Sequence, residues 1–429
     1  MERLLYGAFL GMRLYGRLSF FERHRGNRSL KQEKLWTAEF MGMGSSNFFQ
    51  FMSQYIMVAA LPIFIMDQLG GSGIEAGLAM TFFQIGAVGC RPFAGKLIDQ
   101  INKQRLMLGA TMAFFIIMCA FYFAASFEAL YVLRLLHGVS FALGTTAAAT
   151  MAALLLPAAR KGEGIGYFAM STNLAMVLGP LAGLLLMNRL GAGAMFLFLA
   201  AMALLTVWVS NRRRLPAAIL EPSHNKKGWK LTDFYEKRSL PMAALGGAVF
   251  FAYGGILTFI PIYAKSLGMG TETSLFFVVF AAVIVVTRPL VGRLFDRKGP
   301  DFTIYPGFLL FGGGLVLFSQ ITAVSGLLIA AAVLGAGFGA LSPAFQTLAI
   351  QSAPPERAGV ATATYFWSLD INVGLAAVLL SIAAEHFGYA FMYGVICTGI
   401  VVLTAAVYAV WGRAGRRSGA SKGTITCQK

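Results

Sequence analysis

Charged residues are scarce in this 429-residue sequence: only 12% are Asp, Glu, Lys or Arg, whereas 57% are hydrophobic. A soluble globular protein usually contains about 25% charged residues. The deficit excludes an ordinary water-soluble protein of this length. With their apolar margins, many of the uncharged runs reach the roughly 20 residues that a helix needs to cross a bilayer. The clearest runs are 48–66, 106–125, 194–209, 276–287 and 399–410.

Sequence motifs for catalysis and cofactor binding are also missing. The chain contains no nucleophile–base set, no P-loop and no cluster of metal-ligating residues. We therefore expect no enzyme activity, no cofactor, no metal site and no ATP-driven step. The cysteines are few and scattered, without a CxxC pair, and we interpret them as small apolar residues. They are Cys90, Cys119, Cys397 and Cys427.

Acidic residues are outnumbered by basic ones, and the formal net charge is +17. Eight basic residues precede the first predicted helix, and eight lie between residues 212 and 238. The loops predicted on the other side of the membrane contain only Arg189 and Lys265. This asymmetry follows the positive-inside rule and predicts that both termini are cytoplasmic. We expect no nucleic-acid binding, because no basic patch is interleaved with stacking aromatic residues.

The apolar runs must be helices, because irregular backbone cannot face lipid. We predict an all-α membrane protein with about twelve transmembrane helices in two six-helix halves. In the first half we place the helices at 36–66, 74–97, 105–125, 129–155, 163–187 and 192–211. In the second half we place them at 241–264, 273–295, 303–322, 325–351, 359–384 and 387–411.

The predicted domains follow from these spans. They are a basic N-terminal extension (1–35), a six-helix bundle (36–211), a cytoplasmic linker (212–240), a second bundle (241–411) and a cytoplasmic tail (412–429). The extension contains an apolar run, 4–21, that is interrupted by Arg13 and Arg17. Two interpretations of it stay open: an interfacial amphipathic helix and a weakly ordered extension.

An internal repeat supports the division into halves. The segment RPFAGKLID, which begins at Arg91, recurs as RPLVGRLFD from Arg288, an offset of 197 residues (288 − 91). The same offset relates Gly138 to Gly335. One shift therefore aligns the corresponding helices of both halves. Two parallel six-helix repeats related by an axis along the membrane normal describe transporters of the major facilitator type.

The loop after the first copy resembles the signature of the major facilitator superfamily, which is a Gly, an Asp four residues later and a basic cluster. The matching residues are Gly95, Asp99, Lys103 and Arg105 in the first half and Gly292, Asp296 and Arg297 in the second. Gln100 and Asn102 replace the usual Arg and Gly. Arg134, followed by Gly138, resembles the family's buried-arginine motif. The resemblance covers about residues 36–411 and implies a transporter.

Physical chemistry suggests a gating role for this signature. Gly95 permits close approach of two helices, and Asp99 can occupy the N-terminus of a neighbouring helix, where the helix dipole favours an anion. Lys103 and Arg105 would complete a network that forms in one conformation and breaks in another. The alternative is that these residues fix only the topology, through their charge.

The fifth predicted helix contains Gly179-Pro180 and Gly183, and it resembles the Gly-Pro motif of the family's proton-driven exporters. The pattern departs from that motif at Ala175 and Leu184, where glycines are usual. Proline kinks a helix and glycine permits tight packing, which suits a hinge that packs against its symmetric partner. An ordinary membrane-helix kink is the alternative. The motif favours export over uptake, and the sequence most resembles bacterial drug-efflux and sugar-efflux-like antiporters.

Polar residues within spans are candidates for function, because they are costly in lipid. Asn47, Gln50 and Gln54 share one helical face and could line a cavity or only bond neighbouring helices. Asn173, Tyr253 and Trp367 complete the predicted cavity set. A mixed aromatic and amide lining would suit amphipathic or weakly cationic cargo.

Asp370 is the only acidic residue placed well inside a predicted span, and the repeat maps it onto Asn173 (370 − 197). Burial favours the neutral form of a carboxyl group, so Asp370 is the predicted proton-coupling residue. Arg134 is the only basic residue predicted at comparable depth, and we assign it to the coupling site as well. The alternative is that Asp370 forms a permanent structural ion pair, with Arg134 as the suggested partner.

These observations predict proton-coupled export of a small amphipathic or drug-like molecule by a monomer in the inner (plasma) membrane. The partners are then the cargo, protons and the lipid bilayer. A symporter that imports a sugar or organic anion is the alternative with the same fold. A non-transporting sensor of the same family is the alternative from another class.

Overall fold

The computed structural model describes residues 35–212, 215–216, 220, 231–269 and 273–423. These residues are helical, without a β-strand, and nine helical stretches among them are long and apolar enough to cross a membrane. The all-α membrane fold is therefore confirmed. The count of twelve spans and the cytoplasmic termini stay predictions. Residues 1–34 of the N-terminal extension and most of the linker before residue 231 lie outside the described residues.

Eleven α-helices are assigned within the described residues. Those of the first half are α1 (Ala38–Asp67), α2 (Gly73–Gln100), α3 (Lys103–Ala120), α4 (Phe127–Leu155) and α5 (Lys161–Asn211). Those of the second half are α6 (Leu240–Ser266), α7 (Thr273–Lys298), α8 (Asp301–Ser319), α9 (Val324–Gln351), α10 (Ala358–Phe391) and α11 (Thr398–Gly423). A π-helical segment, Met392–Cys397, joins α10 to α11.

Two glycines break the longest helices at equivalent places. The backbone of α5 leaves helical geometry at Gly191 (φ 81°), and that of α10 leaves it at Gly388 (φ 80°), which is 197 residues later (388 − 191). The sequence predicts separate helices at both places, with Gly191 in the loop 188–191 and Gly388 just inside the helix 387–411. In the structure each break is confined to one residue. Its φ is positive, a conformation that glycine adopts at low cost. The internal repeat is thus also a repeat of backbone conformation.

Glycine contacts within each half follow the same repeat. A Cβ atom on Gly138 of α4 would lie less than 3.0 Å from the Phe83 carbonyl oxygen of α2. A Cβ atom on Gly335 of α9 would clash in the same way with the Phe280 carbonyl oxygen of α7. Small residues allow membrane helices to approach each other closely, where van der Waals contact stabilises the bundle. Each half therefore packs as its own bundle by one shared pattern.

Candidate functional site

A buried ion pair connects the two halves. Arg91 Nε of α2 donates to Asp370 Oδ2 of α10 across 2.9 Å. The Arg91 Nη1 atom donates to the hydroxyl oxygens of Thr145 and Thr146 on α4, each at 2.9 Å. The Arg91 side chain is 2% exposed, whereas that of Asp370 is 25% exposed. The cation is therefore enclosed by protein, while the carboxyl group is partly exposed.

Aromatic and amide groups surround this ion pair. The Arg91 guanidinium lies 4.8 Å from the ring centre of Phe366 and 5.9 Å from that of Phe141. Gln84 Nε2 donates to the Asp370 carbonyl oxygen at 3.3 Å. Attraction between a cation and aromatic faces is strengthened by desolvation. These contacts hold the guanidinium in place whether or not the carboxylate is charged.

Arg134 has a different position from the predicted one. The expectation that it is the only deep basic residue is wrong, because Arg91 and Arg288 are 2% and 1% exposed. The suggested pairing of Arg134 with Asp370 is also wrong, because Arg91 binds that carboxylate. The sequence contained a signal for Arg91, since the Arg-Pro pair recurs at Arg288 at the same depth of the repeat. It was interpreted only as a marker of the repeat.

Arg134 is instead enclosed within the first bundle. Its Nε atom donates to the Ala79 carbonyl oxygen at 3.2 Å, and its Nη1 atom lies 3.4 Å from Gln54 Oε1 and 3.1 Å from His137 Nδ1. Its guanidinium also lies over the Phe83 ring at 4.6 Å. These contacts join α1, α2 and α4. Arg134 therefore has a position suited to holding this bundle together.

The signature aspartates lie at helix N-termini in the opposite half. The Asp99 carboxylate accepts the backbone N–H groups of Gly359 and Val360, each at 2.9 Å. The Asp296 carboxylate accepts those of Gly162 and Glu163, each at 2.8 Å. The anion thus meets unsatisfied N–H groups and the positive end of the helix dipole. We call this end of the bundle, with residues 95–105 and 292–301, the signature end.

Two glycines bring the halves together at the signature end. A Cβ atom on Gly95 would lie 2.5 Å from Ala363 Cβ and 2.9 Å from the Gly359 carbonyl oxygen. A Cβ atom on Gly292 would lie 2.5 Å from Glu163 Cα. Helix α2 therefore packs directly on α10, and α7 packs directly on α5. In this structure the two halves are in contact at the signature end.

The predicted basic cluster contributes unequally to this contact. Lys103 is buried and attracted to Asp99, whereas Arg105 and Arg297 are exposed. Other basic residues form the ion pairs of the signature end, and sequence reasoning did not assign them to it. These pairs are Arg160–Glu163 (2.7 Å), Arg293–Glu163 (3.0 Å), Lys96–Asp233 (3.5 Å) and Arg357–Glu236 (2.6 Å).

The linker takes part in this network. Glu163 corresponds to Val360 in the repeat (163 + 197), so the second half lacks that carboxylate. Asp233 and Glu236 of the linker supply carboxylates to Lys96 and Arg357 instead. The connection between the halves is thus bound to both of them at the signature end.

The glycines of the predicted hinge have a different partner from the expected one. A Cβ atom on Gly179 would lie 2.5 Å from Tyr55 Cβ, and one on Gly183 would lie 3.0 Å from the Ile56 carbonyl oxygen. Both partners belong to α1 of the same half. The expectation that this segment packs against its symmetric partner is wrong, and Gly179, Pro180 and Gly183 instead lie where α5 crosses α1.

We expect Gly179→Leu to abolish transport while the protein still inserts in the membrane. The new side chain would force α5 away from the Tyr55 backbone, and overpacking costs about 1–3 kcal/mol. Transport of labelled cargo and the membrane-inserted amount are measured together. Gly399→Leu is the matched control, because no atom lies within 4 Å of a Cβ at that helical glycine. Full transport by Gly179→Leu would remove this crossing from the mechanism.

Two of the three amides predicted on α1 are buried in helix contacts. Asn47 is 1% exposed, and its Nδ2 atom lies 2.8 Å from the hydroxyl oxygens of both Ser171 and Thr172 on α5. Gln50 is fully buried and donates to Ser46 of its own helix. Gln54 is only half-buried and contacts Arg134. For Asn47 the structure supports the alternative in which the amides bond neighbouring helices, whereas the hydrogen bonds from Gln50 to Ser46 stay within its own helix.

The other predicted cavity residues are separated by their burial. Tyr253 Oη contacts Met176 Sδ at 2.6 Å, which joins α6 to α5 across the two halves, and its ring stacks on Phe338 at 4.0 Å. Asn173 is 5% exposed, and its Nδ2 atom has no hydrogen-bond partner among the described residues. Trp367 is 36% exposed, so the structure does not bury it beside Asp370.

The sequence is similar to a known family and to several transporters of that family. The sequence profile described as Major Facilitator Superfamily matches residues 43–376. An uncharacterized MFS-type transporter of Burkholderia mallei is 26% identical over 366 residues, which cover 82% of this chain and 87% of the relative. One of Methanocaldococcus jannaschii is 22% identical over 344 residues, which cover 78% and 89%.

Two solved structures have a similar fold. The human organic anion transporter MFSD10 (TETRAN) has a TM-score of 0.71 at 14% identity, with 86% of this chain and 98% of that chain covered. FucP, a major facilitator transporter crystallised in the outward conformation, has a TM-score of 0.71 at 15% identity, with 87% and 99% covered. At these identities the likeness concerns the fold alone.

Proposed function

The chain belongs to the major facilitator superfamily, and we propose that it is a proton-coupled transporter that exports a small amphipathic molecule by alternating access. The observation that carries this proposal is the Arg91–Asp370 ion pair. It combines the acidic residue expected inside a span with a cation from the other half. Protonation of the Asp370 carboxyl group therefore changes a contact between the two halves, which must move relative to each other during transport.

The proposed coupling step is a proton transfer to Asp370 Oδ2. The carboxylate accepts the proton, becomes neutral and loses its charge-assisted hydrogen bond with Arg91, which is roughly twice as strong as a neutral one. Arg91 stays bound to Thr145 and Thr146, so the guanidinium does not follow Asp370. Helices α2 and α10 are then free to separate. Loss of the proton restores the ion pair and the contact.

Alternating access follows from the two ends of the bundle. The halves touch through Asp99, Asp296, Gly95 and Gly292 at the signature end, and the positive-inside pattern assigns this end to the cytoplasm. We infer that the structure represents the state that is closed toward the cytoplasm. The state open to the cytoplasm would form when these contacts break. A ligand or proton shifts the balance by the difference in its affinity for the two states.

Export, rather than uptake, is supported by the resemblance of Gly179-Pro180 and Gly183 to the exporter motif. We place the protein in the plasma membrane as a monomer. A symporter that imports organic anions or sugars uses the same fold, and the transport assay distinguishes it.

Inside-out membrane vesicles with an acidic lumen test the proposed function. An exporter exchanges added cargo for lumenal protons, so a pH-sensitive dye in the vesicles reports proton loss when cargo is added. Compounds of cationic, neutral and anionic classes are screened, with vesicles that lack the protein as the control. Proton loss only from vesicles preloaded with cargo would instead identify a symporter. The absence of cargo-dependent proton movement in every class would refute proton coupling.

A further inference from the structure

Arg288 is a buried cation for which the described residues supply no counter-ion. Its side chain in α7 is 1% exposed, and its Nε and Nη1 atoms have no hydrogen-bond partner in the part of the chain that the structure describes. No ion pair to Arg288 is present there either. Burial of an unpaired charge is costly, and buried charges in proteins are normally paired. The position therefore calls for an anion that the described residues do not supply.

The internal repeat provides a direct comparison for this residue. Arg91 is the equivalent of Arg288, and it has a full set of partners: Asp370 on α10 and two threonine hydroxyl groups on α4. An offset of 197 converts Asp370 to Asn173, Thr145 to Ser342 and Thr146 to Pro343. The second half thus lacks the carboxylate and one of the two hydroxyl acceptors. The second half therefore keeps the arginine but has fewer side-chain hydrogen-bond acceptors for it.

The helices that contain this second site pack as those of the first site do. Asp296 of α7 binds the N-terminus of α5 just as Asp99 of α2 binds that of α10. Gly292 of α7 contacts α5 just as Gly95 of α2 contacts α10. The register of α7 on α5 therefore matches that of α2 on α10. By this correspondence, Asn173 on α5 faces Arg288 on α7 in the way that Asp370 on α10 faces Arg91 on α2.

Asn173 strengthens the case for a missing acceptor. Its side chain is 5% exposed, and its Nδ2 donor has no partner among the described residues. Tyr365, which lies near Arg288, donates its own hydroxyl proton to the Ser342 carbonyl oxygen at 2.8 Å. Two nitrogens of Arg288 and the amide nitrogen of Asn173 thus lack acceptors among the described residues, at the positions that correspond to Arg91 and Asp370. An oxyanion with two or three oxygens satisfies both.

We propose that Arg288 and Asn173 bind an anionic group of the cargo, such as a carboxylate, sulfonate or phosphonate, between α7 and α5. The anion occupies the place that the Asp370 carboxylate occupies between α2 and α10. A guanidinium N–H group donates a charge-assisted hydrogen bond to such groups. The assignment narrows the proposed transport function, on which it rests, to amphipathic anions, and it disfavours weakly cationic cargo.

Access to this site follows from the contact at the signature end. Arg288 lies one helical turn before Gly292, where α7 packs on α5, and its side chain is buried in this structure. Separation of α5 from α7 exposes Arg288 to the side on which the signature end opens. Bound cargo then draws α7 and α5 together again, since its anionic group lies between them. The first ion pair responds to protons and the second site responds to cargo, in equivalent positions of the two halves.

Binding to the purified full chain in a nonionic detergent tests the site without requiring transport, and no anionic lipid competes there. The probes are benzoate, benzenesulfonate and phenylphosphonate, with benzamide as the neutral analogue. We expect at least one anion to raise the unfolding temperature and benzamide not to do so. In Arg288→Gln the Kd of that anion rises roughly 30-fold or more, because a buried charge pair is lost. The matched control is Arg189→Gln, an exposed arginine.

Asn173→Asp provides the decisive comparison, because it keeps Arg288 and restores the carboxylate of the first site. We expect it to raise the unfolding temperature without ligand and to abolish stabilisation by the anion. A lower unfolding temperature together with unchanged anion binding would overturn the proposal, as would stabilisation of the wild type by none of the anions. This variant decides the matter even if Arg288→Gln fails to fold.

The outcomes also separate the site from the proposed function. Anion binding that depends on Arg288, in a chain that moves no protons with any cargo, would refute proton-coupled transport and leave the site intact. Proton-coupled transport that Asn173→Asp does not affect would refute the site and leave the function intact. Equal stabilisation by chloride and by the organic anions in all variants would indicate an adventitious ion only.

Discussion

We expect Asp370→Asn to abolish accumulation of cargo against its gradient, while the protein still inserts, folds and binds its cargo. Asparagine has the size of aspartate but cannot take up the coupling proton, and Arg91 keeps its two threonine acceptors. We expect a loss of stability of about 1–3 kcal/mol, since the guanidinium loses its charged partner. Proteoliposomes with an imposed pH gradient measure accumulation, and exchange of labelled cargo without a gradient measures the remaining transport.

A purely structural role for the ion pair makes a different prediction. Asp370→Asn would then lower stability but leave gradient-driven accumulation intact in the protein that remains folded. The double variant Arg91→Gln with Asp370→Asn removes both charges and serves as the control, because it leaves no uncompensated cation. Restored stability without restored accumulation supports a coupling role. Accumulation at the wild-type level in Asp370→Asn would refute the assignment of this residue.

We expect Asp99→Asn to shift the protein toward the state in which the signature end is open. The carboxylate accepts two backbone N–H groups of α10, and hydrogen bonds to charged groups contribute about 1.5–3 kcal/mol each. Asparagine can replace only one of the two acceptor oxygens, so one N–H group loses its partner. Because 1.4 kcal/mol corresponds to a tenfold change in an equilibrium, we expect a population shift of about tenfold or more. Single cysteines near the two ends, labelled from each side, measure it.

The repeat supplies the comparison for this experiment. Asp296→Asn removes the equivalent contact with α5 and should produce a similar shift. The control is Asp67→Asn, at the other end of the bundle, where the carboxylate is exposed. Unchanged accessibility in both Asp99→Asn and Asp296→Asn would support the view that the signature fixes only the topology.

Sequence patterns predicted the features that depend on local or repeated chemistry. The scarcity of charge required membrane helices, and the 197-residue offset required two similar halves, because a repeat of chain is a repeat of fold. The same offset relates Gly191 to Gly388, although the predicted helix bounds placed Gly191 in a loop and Gly388 inside a helix. The position of Asp99 at a helix N-terminus was expected from general electrostatics, and the structure identifies that helix as α10.

Partners across the two halves were decided by the tertiary structure. Sequence depth suggested Arg134 for Asp370, but depth along a helix does not specify which way a side chain points, and α2 rather than α4 meets α10 through Arg91. Gly179 was expected at a symmetric contact, and the packing of α5 on α1 placed it against Tyr55 instead. The linker carboxylates at the signature end were likewise beyond sequence reasoning, since their ion pairs span more than 100 residues.

The sequence by itself determined that this protein is a membrane-embedded helical repeat, and it predicted that Asp370 is the acidic residue inside a span. Hydrophobicity and repetition are properties of the sequence, and they do not depend on which helices pack together. Only the tertiary structure decided that Arg91 pairs with Asp370, whereas no carboxylate of the described residues pairs with Arg288. That difference depends on which side chain of the neighbouring helix lies opposite each arginine. The stability of a buried charge depends on the groups that it contacts.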